Sequence, residues 1–314
     1  MAAAPLPTRD GVGPSRVALP PGPWGTIAEF LVQRFAAIPR ATWEARIRAG
    51  EVVDQHGVPV TPARPYQPRL HVFYYRSLDS ERPVPFEETV LFRDEHLLAV
   101  DKPHFLAVAP VGKYVQQSLL VRLQRKLGLD QLAPLHRIDR ETAGVVLFSV
   151  QPATRHAYHA LFAERAIAKH YEAIVTWHGT PALPAVRRSR LVDDTHFMRM
   201  REVEGEPNSE TRFELLEARD GWARLRLSPV TGRRHQLRVH CAALGLPIRD
   251  DTLYPTLLPE GAEDFDRPLQ LLAKSLAFCD PLDGRQPLTA LLPSGKRLGE
   301  QRRAGCRGHA GGCS

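Results

Sequence analysis

Two segments of the chain concentrate the side chains that can do chemistry. The first is PLHRIDRETAGVVLFSV, residues 134–150, where His136, Arg137, Asp139 and Arg140 stand at the point where a loop enters a strand. A carboxylate flanked by Arg137 and Arg140 is biased towards its ionised form, which suits a nucleophile or a general base and suits a general acid poorly. A structural ion-pair cluster at the strand end accounts for the same residues equally well. The His-Arg-x-Asp spacing also invites comparison with a kinase catalytic loop. That comparison fails, because no Asn follows at the required offset, no Asp-Phe-Gly follows and no Gly-rich loop precedes.

The second segment is SPVTGRRHQLRVHCAALGLPI, residues 228–248. A Thr231-Gly232 turn leads into a predicted helix carrying Arg233, Arg234, His235, Gln236, Arg238 and His240. Helical spacing puts Arg234 and Arg238 on one face and Gln236 and His240 on another, with Leu237 and Cys241 turned inward. Basic groups at a helix N-terminus make an anion site, although three arginines on a surface helix are a common feature. The chain has no Walker loop, no dinucleotide fingerprint and no serine nucleophile elbow, so no cofactor and no metal are expected. Cys306, His309 and Cys313 lie close together in the tail, but their spacing is not a zinc pattern. None of the four cysteines forms a Cys-x-x-Cys pair, which fits a reducing cytoplasm.

The elements that must hold these segments read as an α+β domain behind a smaller module. The 314 residues are 43% hydrophobic and 25% charged, with a net charge of +7, which allows a sizeable core and is compatible with a polyanionic partner. No run of about 20 apolar residues predicts a membrane span. Residues 1–25 are Pro-rich and read as a disordered leader. Residues 26–78 read as two short helices followed by small strands, with a capping box at Thr26 and Glu29. Arg34, Arg40, Arg46 and Arg48 lie on those helices, as a solvated face or as phosphate contacts. Residues 79–85 read as a linker, 86–300 as the larger domain and 301–314 as a disordered tail. In the larger domain, strands are joined mostly by hairpins and single helices. That predicts a mixed, largely antiparallel central sheet with flanking helices, not a doubly wound fold. A hairpin turn is predicted at Asp220-Gly221.

At both reactive segments the chain resembles the RluA family of RNA pseudouridine synthases. HRIDRETAG, residues 136–144, and TGRRHQLRVH, residues 231–240, resemble its two signatures, followed by GLPI and DTLY. VDKP at 100–103, KHYEAIV at 169–175 and LQLLAKSLAF at 269–278 are similar to its other strands, over roughly residues 86–300. Residues 26–76 resemble the S-four-like RNA-binding module often placed before that domain. The resemblance implies isomerisation of uridine in structured RNA without a cofactor, by a protein expected to be a monomer, with ribosomal large-subunit RNA preferred over tRNA as the expected target. It implies Asp139 as the essential carboxylate, Arg238 as its buried partner and Tyr171 as the residue stacking on the target base. It also implies that Arg137 fills the space left by the flipped nucleotide. Arg140, His136, Arg233, His235 and Gln236, with Arg34, Arg40 and Arg46 of the module, are the expected RNA contacts. An RNA-binding or RNA-chaperone protein that has lost catalysis is the alternative, and the joint presence of Asp139, Tyr171 and Arg238 argues against it.

Overall fold

The computed structural model describes residues 5–292 apart from 10, 37, 76–80, 113, 180–181, 220, 260, 262 and 284–286. The Asp220 turn, part of the 79–85 linker and the tail bearing Cys306, His309 and Cys313 therefore lie outside the described residues.

The N-terminal unit consists of β1 (Ser15–Ala18), α1 (Ile27–Arg34), α2 (Arg40–Arg48), β2 (Val52–Asp54) and β3 (His71–Tyr74). The strands form an antiparallel sheet in the order β1-β3-β2. Thr26 and Glu29 form the capping box that starts α1. Ile27, Phe30 and Leu31 of α1 pack with Trp43 and Ile47 of α2 against Val52, Val72 and Tyr74. The expected leader is ordered from Pro5, Asp10 lying outside the description. Ser15–Ala18 pairs with His71–Tyr74, and Leu19 is buried in the same core. Further upstream, Val12 packs with Val115 and Val121 of the following domain, and the Tyr75 hydroxyl donates to the Pro7 carbonyl at 2.6 Å. Prolines keep this stretch out of helices, but they do not stop it pairing and packing as extended chain.

The larger unit continues with β4 (Thr89–Arg93), β5 (Leu97–Lys102), α3 (Leu119–Leu127), β6 (Ala133–Pro134), β7 (Ala143–Ser149), α4 (Arg155–Ala163) and β8 (Ala168–Trp177). It is completed by β9 (Val186–Asp193), β10 (Met200–Val203), β11 (Ser209–Arg219), β12 (Gly221–Pro229), α5 (Gln236–Ala243), β13 (Leu271–Cys279) and β14 (Pro287–Leu291). Its sheet runs β10-β9-β11-β12-β8-β13-β7-β5-β4, with β14 beside β13 and β6 beside β7. Every strand pair among the described residues is antiparallel except β13 with β7. This is an α+β fold.

The middle of the sheet is covered on both faces. Strand periodicity sends Leu98, Val100, Val146 and Phe148 into one core and Leu97, Ala99, Val145 and Leu147 into the other. β13 reaches its place between β7 and β8 by a close backbone approach at Gly144 (φ +117°), where a Cβ would lie 2.2 Å from the Ala273 carbonyl oxygen. No helix among the described residues is long and apolar enough to cross a membrane.

Candidate active site

Asp139 sits in the loop leading into β7, and that loop is held from several directions. The Thr142 N–H donates to the Asp139 carbonyl at 3.1 Å and closes a turn. Beneath the turn, the buried Lys102 amine donates to the carbonyls of Arg140 (3.1 Å), Leu106 (2.7 Å) and Pro103 (2.9 Å). His104 Nδ1 donates to the Glu141 carbonyl at 2.5 Å. His136 precedes the turn, stacks on Phe162 at 4.8 Å and accepts the Leu147 N–H through Nε2 at 3.1 Å. Burial, helped by the charge on Lys169, lowers its pKa to about 3, so it is a neutral, structural histidine.

Facing this loop is α5, which is buried along Gln236–Cys241. Arg238 places its guanidinium, inaccessible to solvent, among three carboxylates. Asp251 takes its bidentate face, at 2.8 Å from Nε and 2.5 Å from NH2. Its NH1 is left 3.6 Å from Asp139 Oδ2 and 3.5 Å from Glu141 Oε2. Burial pushes the Glu141 carboxyl up, but Arg238 and then Arg140 outweigh it and hold the group below its ordinary range. His235 begins α5 in the left-handed conformation (φ 52°), with Nε2 3.8 Å from Asp139 Oδ1.

Tyr171 enters from β8, paired with Leu227 of β12 and Ala273 of β13. Burial, and then the charge on Asp139, raise its hydroxyl pKa well above the ordinary 10, so it stays a phenol. Asp139, Tyr171, His235 and Arg238 line one cavity of about 470 Å³, and Arg137, Arg165, Lys169 and Arg233 line it as well. An acid, a phenol and a buried cation thus share a space ringed by positive charge, which is the chemistry of a site that takes one polyanion-borne group out of solvent.

Comparison with known proteins agrees with that reading. A family described as RNA pseudouridylate synthase matches residues 96–243. The chain is 30% identical over 234 residues to an uncharacterised RNA pseudouridine synthase of Synechocystis, covering 72% of this chain and 78% of that one. It is 35% identical over 200 residues to the dual-specificity RNA pseudouridine synthase RluA of Salmonella typhi, covering 62% and 88% respectively. The chain belongs to the RNA pseudouridine synthase family. Among solved structures, human RNA pseudouridylate synthase domain containing 4 superposes with a TM-score of 0.51 at 25% identity, over 65% of this chain and 87% of that one. Human RNA pseudouridylate synthase domain containing 1 shares the fold with a TM-score of 0.54 at 24% identity, over 68% and 86%. The protein is therefore an isomerase that converts uridine in RNA to pseudouridine.

In the synthase, not every predicted contact reaches the cavity. Arg137 and Arg233 line it. Arg140 turns away, pairing with Glu141 and Glu263 and lying over the Tyr114 ring, so sequence adjacency to Asp139 does not make it a partner. Gln236 lines the cavity but is buried and fully engaged. It accepts from the Thr231 hydroxyl and the Arg233 N–H, and donates to the Glu210 carbonyl and the Thr211 hydroxyl, so it fixes the turn and is not free to read RNA. Arg234 precedes the helix and binds Asp193 and the Arg199 carbonyl, whereas Arg238 faces the interior, so the two share no face. Arg34, Arg40 and Arg46 belong to the small unit and do not line the cavity. Arg34 and Arg40 are exposed, but Arg46 is buried against Trp43 and has no access to phosphate.

Arg165, Lys169, Glu141, Asp251 and Tyr254 were not anticipated. The signal for Lys169 was present: it is two residues from Tyr171 on one strand and so shares its face. Asp251 and Tyr254 stood in the DTLY region without an assigned role. Arg165 follows α4 at φ 60°, and no sequence pattern marks it.

Proposed function

We propose that this synthase acts on uridines of ribosomal large-subunit RNA in preference to tRNA, with Asp139 as the essential carboxylate and the N-terminal unit as an S-four-like RNA-binding module. The observation that carries the catalytic assignment is the meeting of Asp139, Tyr171 and Arg238 around one cationic cavity. The target nucleotide leaves its stack at a cost of a few kcal/mol and enters that cavity. Phosphate contacts to Arg137, Arg165, Lys169 and Arg233 offset the cost. The bond from uracil nitrogen to the sugar breaks, the base rotates, a bond forms from a base carbon to the sugar, and the proton lost by that carbon is balanced by one gained at the freed nitrogen.

Asp139 supplies the electron pair at the ribose, by attack on the sugar or by removing a ribose proton, and Arg238 keeps its carboxylate oriented. Tyr171 stacks on the base and, as a phenol, can pass a proton. The preference for ribosomal RNA draws on the N-terminal unit, whose exposed Arg34 and Arg40 suit a folded RNA larger than one stem-loop. RluA of Salmonella typhi is described as dual-specificity, so a second RNA class is the competing reading, and tRNA is the class to test.

The test measures pseudouridine formed in large-subunit rRNA fragments and in tRNA by the wild type and by Asp139→Asn and Asp139→Ala. Loss of conversion with RNA binding retained is expected. Pseudouridine made by purified Asp139→Ala protein overturns the catalytic assignment, and faster conversion of tRNA overturns the substrate preference.

A further inference from the structure

Arg238 addresses one oxygen of Asp139, Oδ2, while His235 Nε2 faces the other, Oδ1, at 3.8 Å. What His235 can do there depends on which ring nitrogen carries its proton, and its surroundings decide this. Its Nδ1 lies 3.0 Å from the Tyr254 hydroxyl. That hydroxyl already accepts the Met200 N–H of β10 at 2.7 Å. A phenol has one hydrogen to give, and Tyr254 is 3% exposed, so the hydrogen goes to His235 Nδ1. With Nδ1 accepting, a neutral His235 carries its proton on Nε2 and points it at Asp139.

We propose that His235 is a positioning residue for Asp139, donating from Nε2 to Oδ1 in a tautomer fixed by Tyr254. The proposal rests on Asp139 being the essential carboxylate. The charged and titratable groups around His235 are Asp139 and Glu141 on the loop before β7, Arg234 and Arg238 beside it, Asp251 and Tyr254 after α5, and Arg199 over the Tyr254 ring. Burial first, then Arg238 and Arg234, hold the imidazole below its ordinary pKa of 6.5 against the pull of Asp139. A neutral donor orients the carboxylate without placing a second full positive charge on it, so its electron pair stays available. At 3.8 Å the pair is longer than a hydrogen bond, so the proposal requires Nε2 and Oδ1 to close by about 1 Å as the reaction proceeds.

The experiment is single-turnover pseudouridine formation on an rRNA fragment across pH, with RNA affinity measured in parallel. His235→Ala is expected to slow turnover about 10–100-fold with RNA affinity unchanged, the worth of one hydrogen bond to a charged group. His235→Gln, which carries an N–H near the Nε2 position, is expected to recover most of that loss. Tyr254→Phe keeps the ring and removes the hydroxyl. Neutral His235 then loses its donor and protonates more readily, so the acid limb of the rate profile moves to higher pH. Tyr254→Phe also keeps the proposal falsifiable if the His235 variants do not fold. Unchanged turnover in folded His235→Ala, or an unmoved acid limb in Tyr254→Phe, overturns the proposal. Conversion by Asp139→Ala instead overturns the reading beneath it, whatever the His235 variants do.

Discussion

Arg238 illustrates how much of a residue's role lies in what it does not touch closely. Its best hydrogen bonds go to Asp251, and Asp139 and Glu141 share the remaining nitrogen at 3.5–3.6 Å. Removing it leaves three carboxylates facing one another in a buried space. Arg238→Ala is therefore expected to cost about 3–5 kcal/mol in urea unfolding, besides stopping turnover. Arg137 is the opposite case: it is exposed on the cavity lining and makes no hydrogen bond or ion pair among the described residues. Arg137→Ala should leave the fold intact and lower the slope of log affinity against log salt by about 0.7–0.9, read by RNA titration at several salt concentrations. Asp139 and Arg238 could be found from motif order because their neighbours repeat a family pattern. Asp251 could not be assigned, because its bond to Arg238 depends on how residues 249–254 fold back under α5, and that is a tertiary fact.

At the scale of elements, periodicity served well wherever a strand has an apolar face. β5, β7, β8 and β13 were legible, as were the β11–β12 hairpin and α5. β9 and β10 were missed because both are rich in charge, β10 being the edge strand of the sheet and β9 its neighbour. VRRSRLVD and MREV show no sustained apolar alternation, and edge strands carry such charges to discourage further pairing. Gly144 shows a constraint that composition hides. Substitution to Ala would put a methyl group against the Ala273 carbonyl at a φ that L-residues avoid. Gly144→Ala is expected to destabilise the protein by about 3 kcal/mol or more, seen as a lower Tm, with turnover falling because the Asp139 loop opens directly onto β7.

For the whole molecule, buried neutral histidines set the response to acid. Burial brings His136 to about 3 and His240 to about 4, both from 6.5. His240 is held by Thr211 on one nitrogen and by Ser189 and Ser209 on the other. Between those values and 6.5 the unfolded chain binds the extra protons, so stability falls as pH drops below 6.5. Each histidine accounts for a loss of roughly 2 kcal/mol by pH 5 relative to pH 7. Urea unfolding at the two pH values should show that loss, and His136→Asn should flatten it by about one proton. Asp139 and Tyr171 are near neighbours in the chain, yet the strand lying between β7 and β8 begins only at Leu271. A growing chain that has passed both residues still lacks the wedge that sets their spacing. The cavity they line is thus expected to be among the last features to form during synthesis, because it waits on a long-range insertion, and a chain cut short before Leu271 is expected to carry both residues without that cavity.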